Sequence, residues 1–317
     1  MTLSSRWPAV LQAVMQGQPR ALADSHYPQW HPAPVTGLMN DPNGFIWFAG
    51  RYHLFYQWNP LGCDHRYKCW GHWSSADLVH WQHEPMALMP DEEYDRNGCY
   101  SGSAVDNNGV LTLCYTGNVK FDDGGRTAWQ CLAVQNDDGT FAKLGPVLPL
   151  PDGYTGHVRD PKVWWHDGLW YMVLGAQDRQ QRGKVLLFTS ADLHLGVLRR
   201  NRRSRRQRTH GRGLYVECPD LFELDGTHVL ICCPQGWRAN RIAISTPIRP
   251  SGCVGYLIIK RLHLRTASCM SLTPVSNFTR RKPRWQKMAA ASSSAGWACR
   301  TAKRCSSLRG RTAGSTR

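Results

Sequence analysis

From residue 226 to residue 317 the chain has no aspartate and no glutamate, against 17 lysines and arginines. A folded enzyme surface mixes both signs of charge, so this stretch does not read as one. Residues 199–213 are similar, with eight arginines in fifteen positions. By contrast, residues 1–198 hold 14 basic and 19 acidic side chains, a net of −5 behind the overall +16. Such asymmetry suggests a basic, disordered tail that binds RNA. Trp285, Trp297 and the scattered cysteines do not suit a solvating segment, however. Residues 196–213 and roughly 240–317 therefore read as sequence translated out of frame or otherwise scrambled, and no nucleic-acid partner is expected.

Other absences narrow the class. No apolar run approaches the roughly 18 residues of a membrane-spanning helix, and residues 3–15 lack the unbroken apolar stretch of a signal peptide. The 12 cysteines have no metal-type spacing, and their one close pair, Cys232-Cys233, is adjacent within an apolar strand. That excludes a zinc framework and fits buried free thiols in a reducing compartment. The expectation is a soluble cytoplasmic protein with no metal, no cofactor and no membrane partner; its oligomeric state is left open.

What the chain does have is a beat. Hairpin turns stand at Ala49-Gly50, Asn108-Gly109, Asp167-Gly168 and Asp225-Gly226, with their glycines 59, 59 and 58 residues apart. Asp41, Ser101, Asp160 and Glu217 stand eight or nine residues before those glycines. A strand-built period of this size predicts an all-β propeller, one blade per repeat. Equivalent positions of successive blades converge on one axis, so two aspartates and a glutamate are expected in one pocket. Trp73-Ser74-Ser75-Ala76-Asp77-Leu78 and Phe188-Thr189-Ser190-Ala191-Asp192-Leu193 repeat in register with the hairpins, as third strands of two blades would. Of the 14 tryptophans, 11 lie in the first 170 residues. Core packing accounts for most of them, and the rest suit a ring-binding cleft.

Before the propeller, residues 5–23 have helical spacing broken near Gln16-Gly17-Gln18-Pro19, which predicts one short helix or two helical turns at the periphery. The predicted organisation is a helical segment over 1–26, a propeller over 27–237 disrupted at 196–213, and an aberrant basic tail over 238–317. A fifth hairpin glycine is due near 284 and does not come. A propeller without its last blade has an open sheet edge, so poor solubility and little or no activity are expected of this chain.

Each carboxylate has a bland reading beside the chemical one. Asn40-Asp41-Pro42-Asn43-Gly44 reads as a tight turn, and Arg159-Asp160-Pro161 as a salt-bridged turn. Glu217 interrupts an apolar strand start, where a carboxylate needs a partner or a role. Glycoside hydrolysis needs two carboxyl groups about the anomeric carbon, about 5–5.5 Å apart in retaining enzymes. The apolar flank of Glu217 is expected to raise its pKa, as a general acid requires. Asp160 beside Arg159 is expected to stay ionised and to stabilise an oxocarbenium-like state. Ser101 lacks a nucleophile elbow and is expected to donate a hydrogen bond.

Six ordered segments carry a resemblance: MNDPNG (39–44), GRYHLFYQWNP (50–60), CWGHWSSADLVHW (69–81), CYSGSAV (99–105), VRDPKVW (158–164) and ECPDLF (217–222). Together they resemble glycoside hydrolase family 32, and within it the bacterial enzymes that act on sucrose 6-phosphate. The match covers about residues 25–195 and 214–236. The resemblance implies a five-bladed β-propeller followed by a β-sandwich, with about four blades recognisable in this chain and the sandwich absent. It implies retaining cleavage of the β-fructofuranosidic bond of sucrose 6-phosphate or sucrose. Asp41 would be the nucleophile, Asp160 the transition-state stabiliser and Glu217 the acid/base. Asn40, Gln57, Tyr100, Ser101 and Arg159 match positions that hold the fructosyl unit, and Trp70 would wall the pocket. His65 and Val216 stand where many members have tryptophan, which bears on the leaving-group side and on the integrity of the segment before Glu217. His65, Arg66 and Lys68 form a basic cluster that reads equally as a 6-phosphate site or as a solvated loop. Two other readings stay open: a related propeller glycosidase acting on fructan or pentosan, and a non-catalytic remnant.

Overall fold

The computed structural model describes residues 6–193, 199–200, 215–224, 227–235, 255–259 and 270–271. Two-residue turns organise it. Ala49-Gly50 joins β1 (Leu38–Phe48) to β2 (Arg51–Asn59), Asn108-Gly109 joins β5 (Cys99–Asn107) to β6 (Val110–Lys120), and Asp167-Gly168 joins β9 (Arg159–His166) to β10 (Leu169–Gln177). Both residues of each turn have positive φ: 47° and 78°, 54° and 83°, 47° and 78°. That left-handed pair matches the twist of the flanking strands, and glycine takes its half at no steric cost. The fourth turn, Asp225-Gly226, lies outside the described residues. Its flanking strands β13 (Tyr215–Leu224) and β14 (Thr227–Gln235) pair with Leu224 opposite Thr227.

Two further strands extend each hairpin. They are β3 (Cys69–Ser75) and β4 (Trp81–Leu88), β7 (Arg126–Gln135) and β8 (Phe141–Leu148), β11 (Gly183–Ser190) and β12 (Arg199–Arg200), and β15 (Gly255–Ile259) and β16 (Met270–Ser271). The result is four antiparallel four-stranded sheets, each in chain order. These are four blades of a β-propeller. Trp73–Leu78 and Phe188–Leu193 close the third strands of blades 1 and 3, and Ser75 and Ser190 each accept the N–H of the aspartate two residues on.

Apolar side chains meet between blades rather than in one central core. Phe55, Trp70 and Leu88 of blade 1 pack on Leu113 and Tyr115 of blade 2. Val105 and Leu132 pack on Val163, Met172 and Leu186 of blade 3, and Val173 and Leu187 on Leu221 and Leu230 of blade 4. Each such side chain contributes about 1.5–3 kcal/mol when fully buried. Neighbouring blades therefore hold one another in place.

Two expectations need correction. Helix α1 (Arg6–Leu22) runs unbroken through Gly17 and Pro19. A Cβ on Gly17 would lie 2.3 Å from Thr36 Oγ1, so this glycine permits close packing rather than ending the helix. Nor is α1 merely peripheral, because Val10 is buried against Cys69 and Met89. The sheets also continue into segments whose composition reads as aberrant. β12 pairs with β11, and β15 pairs with β14 along His228–Cys232. The apolar run Gly255–Ile259 can fill an open strand edge whatever its origin. The remainder of 196–213 and 238–317, and the due position near 284, lie outside the described residues.

A buried cation fixes the connector from blade 1 to blade 2. Lys143 Nζ on β8 donates to Met89 O (2.5 Å), Asp91 Oδ1 (2.5 Å) and Asp95 Oδ2 (2.6 Å). The Asp95 side chain is 0% exposed and also accepts from Tyr115 OH at 3.0 Å. Lys143→Met leaves two carboxyl groups without their cation and is expected to cost about 3–5 kcal/mol in urea unfolding. A stability within about 0.5 kcal/mol of the parent would refute the clamp.

Candidate active site

The inner strands β1, β5, β9 and β13 each carry a β-bulge at the equivalent place. Register slips between Met39 and Pro42, Tyr100 and Gly102, Arg159 and Lys162, and Glu217 and Asp220. Asn40-Asp41, Ser101, Asp160-Pro161 and Cys218-Pro219 are therefore the irregular residues of their strands. Bulges re-aim side chains and tolerate proline, which has no ladder N–H to give. Asp160 and Cys218 adopt φ of 64° and 47°, left-handed values that non-glycine residues rarely hold. The turn readings of Asn40–Gly44 and Arg159–Pro161 thus give way to bulged strands.

The bulges are stitched from blade to blade. Ser101 Oγ donates to Asp41 Oδ2 (2.9 Å), the Val163 N–H donates to Ser103 Oγ (3.0 Å), and the Cys218 N–H donates to Asp160 Oδ2 (2.8 Å). Arg159 Nη1 lies 3.5 Å from Glu217 Oε1, and Gln235 Nε2 donates to Glu217 Oε2 at 2.7 Å. Asp41, Ser101, Arg159, Asp160 and Glu217 are in this way linked across four blades.

The electrostatics differ from expectation. Burial pushes the Asp160 carboxyl up to about 7; Arg159 and the Cys218 N–H oppose this, while Glu217 and Asp41 reinforce it. Asp160 is therefore not simply held ionised by Arg159, because desolvation of a fully enclosed carboxylate outweighs one neighbouring cation. Glu217 is not set in an apolar flank either. Val216 is buried, while Glu217 is partly open (28% of its side chain exposed) and faces Arg159 and Gln235.

Supporting residues separate from open ones. Trp70 is 0% exposed, so it does not wall the pocket; its Nε1–H donates to Tyr100 O at 3.2 Å, beneath Ser101. Gln57 is likewise buried, and its Nε2 donates to Cys99 O at 2.6 Å. Tyr100 covers one side of Arg159, whose guanidinium carbon lies 5.8 Å from that ring and 5.3 Å from Tyr215. Asn40 Oδ1 accepts from the buried Lys68 Nζ at 2.6 Å, and Lys68 also meets His65 Nδ1 at 2.9 Å. Arg66 points outward into an ion pair with Asp64 (2.6 Å). The three basic residues therefore do not converge as one cluster: one charge faces in, one out.

Sequence reasoning missed His157, Tyr215, Gln235 and Asn43. His157 stacks on Tyr215 (4.9 Å) and accepts from Arg159 Nη2; burial, with Arg159 and Arg126, pushes its pKa down to about 4. The Asn43 amide is buried with neither atom hydrogen-bonded among the described residues. The motif around position 159 offered a signal for His157, two residues before the arginine. Tyr215 and Gln235 offered none, because their role depends on strand register.

Comparison with known proteins agrees with the propeller fold. Residues 31–253 match the N-terminal domain of the glycosyl hydrolases family 32. The chain is 76% identical over 246 residues to the sucrose-6-phosphate hydrolase of Salmonella typhimurium, covering 74% of this chain and 51% of that protein. The solved sucrose-6-phosphate hydrolase of Lactobacillus gasseri aligns with a TM-score of 0.70 at 34% identity, over 82% of this chain and 52% of that one. The GH32 beta-fructofuranosidase of Bombyx mori aligns with a TM-score of 0.66 at 35% identity, over 79% and 52%. The chain spans about half the length of the curated relatives it matches.

The buried carboxyl has a thermodynamic signature. Asp160 ionises near 3.8 when unfolded and near 7 when folded. The unfolded chain gives up that proton first, so this contribution to stability is fullest below about pH 4 and is lost as pH rises towards 7. Asp160→Asn should flatten stability over that window; an unchanged pH slope in chemical denaturation would overturn the assignment.

Proposed function

The chain belongs to glycosyl hydrolase family 32, and from that premise we propose that it carries the catalytic face of a retaining β-fructofuranosidase acting on sucrose 6-phosphate or sucrose. The observation that carries the proposal is the approach of Asp41, Asp160 and Glu217 from the inner strands of three different blades, Asp41 and Asp160 within the bulge and Glu217 directly before it. The relatives from Salmonella typhimurium and Lactobacillus gasseri, both sucrose-6-phosphate hydrolases, support the substrate class.

In the first step an Asp41 carboxylate oxygen attacks the anomeric carbon of the fructosyl unit. The bond to the glucosyl oxygen breaks, and that oxygen takes a proton from Glu217. In the second, Glu217 accepts a proton from water as the water oxygen displaces Asp41, releasing fructose. Ser101 holds the Asp41 carboxylate through its 2.9 Å hydrogen bond. Arg159 lies beside Glu217 and favours its carboxylate form between the two steps. Asp160, with one oxygen committed to the Cys218 N–H, suits the holding of sugar hydroxyls and of developing positive charge. Buried Gln57 and Trp70 act from below, by fixing the backbone at Cys99 and Tyr100. Asn40 faces the sugar with its carbonyl set by Lys68. A cytoplasmic setting belongs to the same proposal, in keeping with free buried thiols at Cys69, Cys99, Cys114 and Cys131. Among the described residues no helix is long and apolar enough to cross a membrane.

Release of glucose 6-phosphate from sucrose 6-phosphate tests the reading. Asp41→Asn should lower it at least about 10⁴-fold, and Glu217→Gln about 10²–10⁴-fold. Retention of full turnover by Asp41→Asn would sink the nucleophile assignment. For the phosphate, Arg66 is the basic group of the three whose charge is exposed. Arg66→Ala should reduce kcat/KM for sucrose 6-phosphate about tenfold, the worth of one exposed charge-assisted contact, and leave sucrose unaffected. Equal loss on both substrates would remove Arg66 from phosphate recognition.

A further inference from the structure

A second cleft lies at the outer strands of blade 1, roofed by the segment that leads from α1 into β1. Tyr27, Trp30, Trp73, Val79, Trp81 and His83 line it, and no Asp, Glu, Lys or Arg is among its lining residues. Trp30 is 85% exposed, a full indole face left in water. Three of the neighbouring donors are already committed. Tyr27 OH donates to Ala33 O (3.0 Å), Trp81 Nε1–H to Leu78 O (3.1 Å) and Trp73 Nε1–H to His83 Nδ1 (2.9 Å). A ring nitrogen that accepts carries no proton, so His83 is a neutral imidazole with its hydrogen on Nε2. Its side chain is exposed. The cleft thus offers aromatic faces and a neutral N–H donor, with no formal charge.

Those features select a ligand. A saccharide ring has an apolar C–H face that packs on indole and a rim of hydroxyl oxygens that accept hydrogen bonds. A phosphate, a carboxylate or a charged peptide finds no counter-charge among the lining residues. We propose that this cleft is a second binding site for a neutral saccharide ring, stacked on Trp30 and hydrogen-bonded by His83 Nε2–H. It is distinct from the pocket of Asp41, Asp160 and Glu217, which belongs to the inner strands. The proposal stands whether or not the chain turns sugar over, because it concerns binding alone.

Fluorine NMR of the fluorotryptophan-labelled chain reads it directly. Titration with sucrose should shift the Trp30 resonance, assigned by its disappearance in Trp30→Phe, along a saturating curve. His83→Phe should weaken that midpoint about fivefold, the worth of one neutral hydrogen bond. Trp30→Ala, a change at an exposed side chain, should leave the Trp81 resonance insensitive to sucrose. A Trp30 resonance unmoved by sucrose overturns the site. So does a Trp81 response with an unchanged midpoint in Trp30→Ala, or a stronger Trp30 response to a proline-rich peptide than to sucrose, which would mark a protein partner instead.

Discussion

Every inner strand of this protein carries a bulge at the same place, and that single irregularity is what the site depends on. A regular strand sends alternate side chains to opposite faces, so Asp41 in a continuous ladder would share its face with every second neighbour. The bulge breaks that alternation locally and re-aims the chain. A proline accompanies it in three of the four strands, directly after the bulge at Pro42 and within it at Pro161 and Pro219. Left-handed backbone at Asp160 and Cys218 costs about 1–3 kcal/mol each and persists because neighbouring blades hold both residues. The Cys218 N–H that this conformation exposes is the one that binds Asp160.

Polar groups behind the site act as struts. Lys143, Asp91 and Asp95 fix the connector that enters β5, Gln57 and Trp70 hold the backbone of Cys99 and Tyr100, and Ser101 then meets Asp41. A run of buried hydrogen bonds thus leads from the outer strand of blade 2 to a carboxylate on blade 1. Apolar packing between blades would tolerate small slides. These directional bonds do not. On the other side, His157 and the rings of Tyr100 and Tyr215 hold the Arg159 guanidinium beside Glu217.

The hairpin turns were legible because their chemistry is local. Asn-Gly and Asp-Gly specify two left-handed residues whatever surrounds them, and the strands on either side carry their own alternation. The convergence of Asp41, Ser101, Asp160 and Glu217 was legible from period alone. Gly17 and Pro19 misled, since a helix breaker read in isolation ignores the fit of α1 against Thr36, Cys69 and Met89. Trp70 and Gln57 lie in motif segments yet face inward. Motif membership does not say which face a residue takes. The basic trio at 65–68 also separated on folding, because adjacent residues in a loop diverge in direction.

The amino-acid sequence by itself determined the number of blades that carry recognisable hairpins and their order. These follow from turn chemistry and strand period, which act over a few residues. Only the tertiary structure decided the ionisation of Asp160, the pairing of Arg159 with Glu217, and the inward turn of Trp70. The first two depend on groups 58 residues apart in the chain, Arg159 and Glu217 or Asp160 and the Cys218 N–H, and the third on Tyr100, 30 residues from Trp70. A carboxylate's charge state belongs to its surroundings, and those exist only once the blades have closed around it.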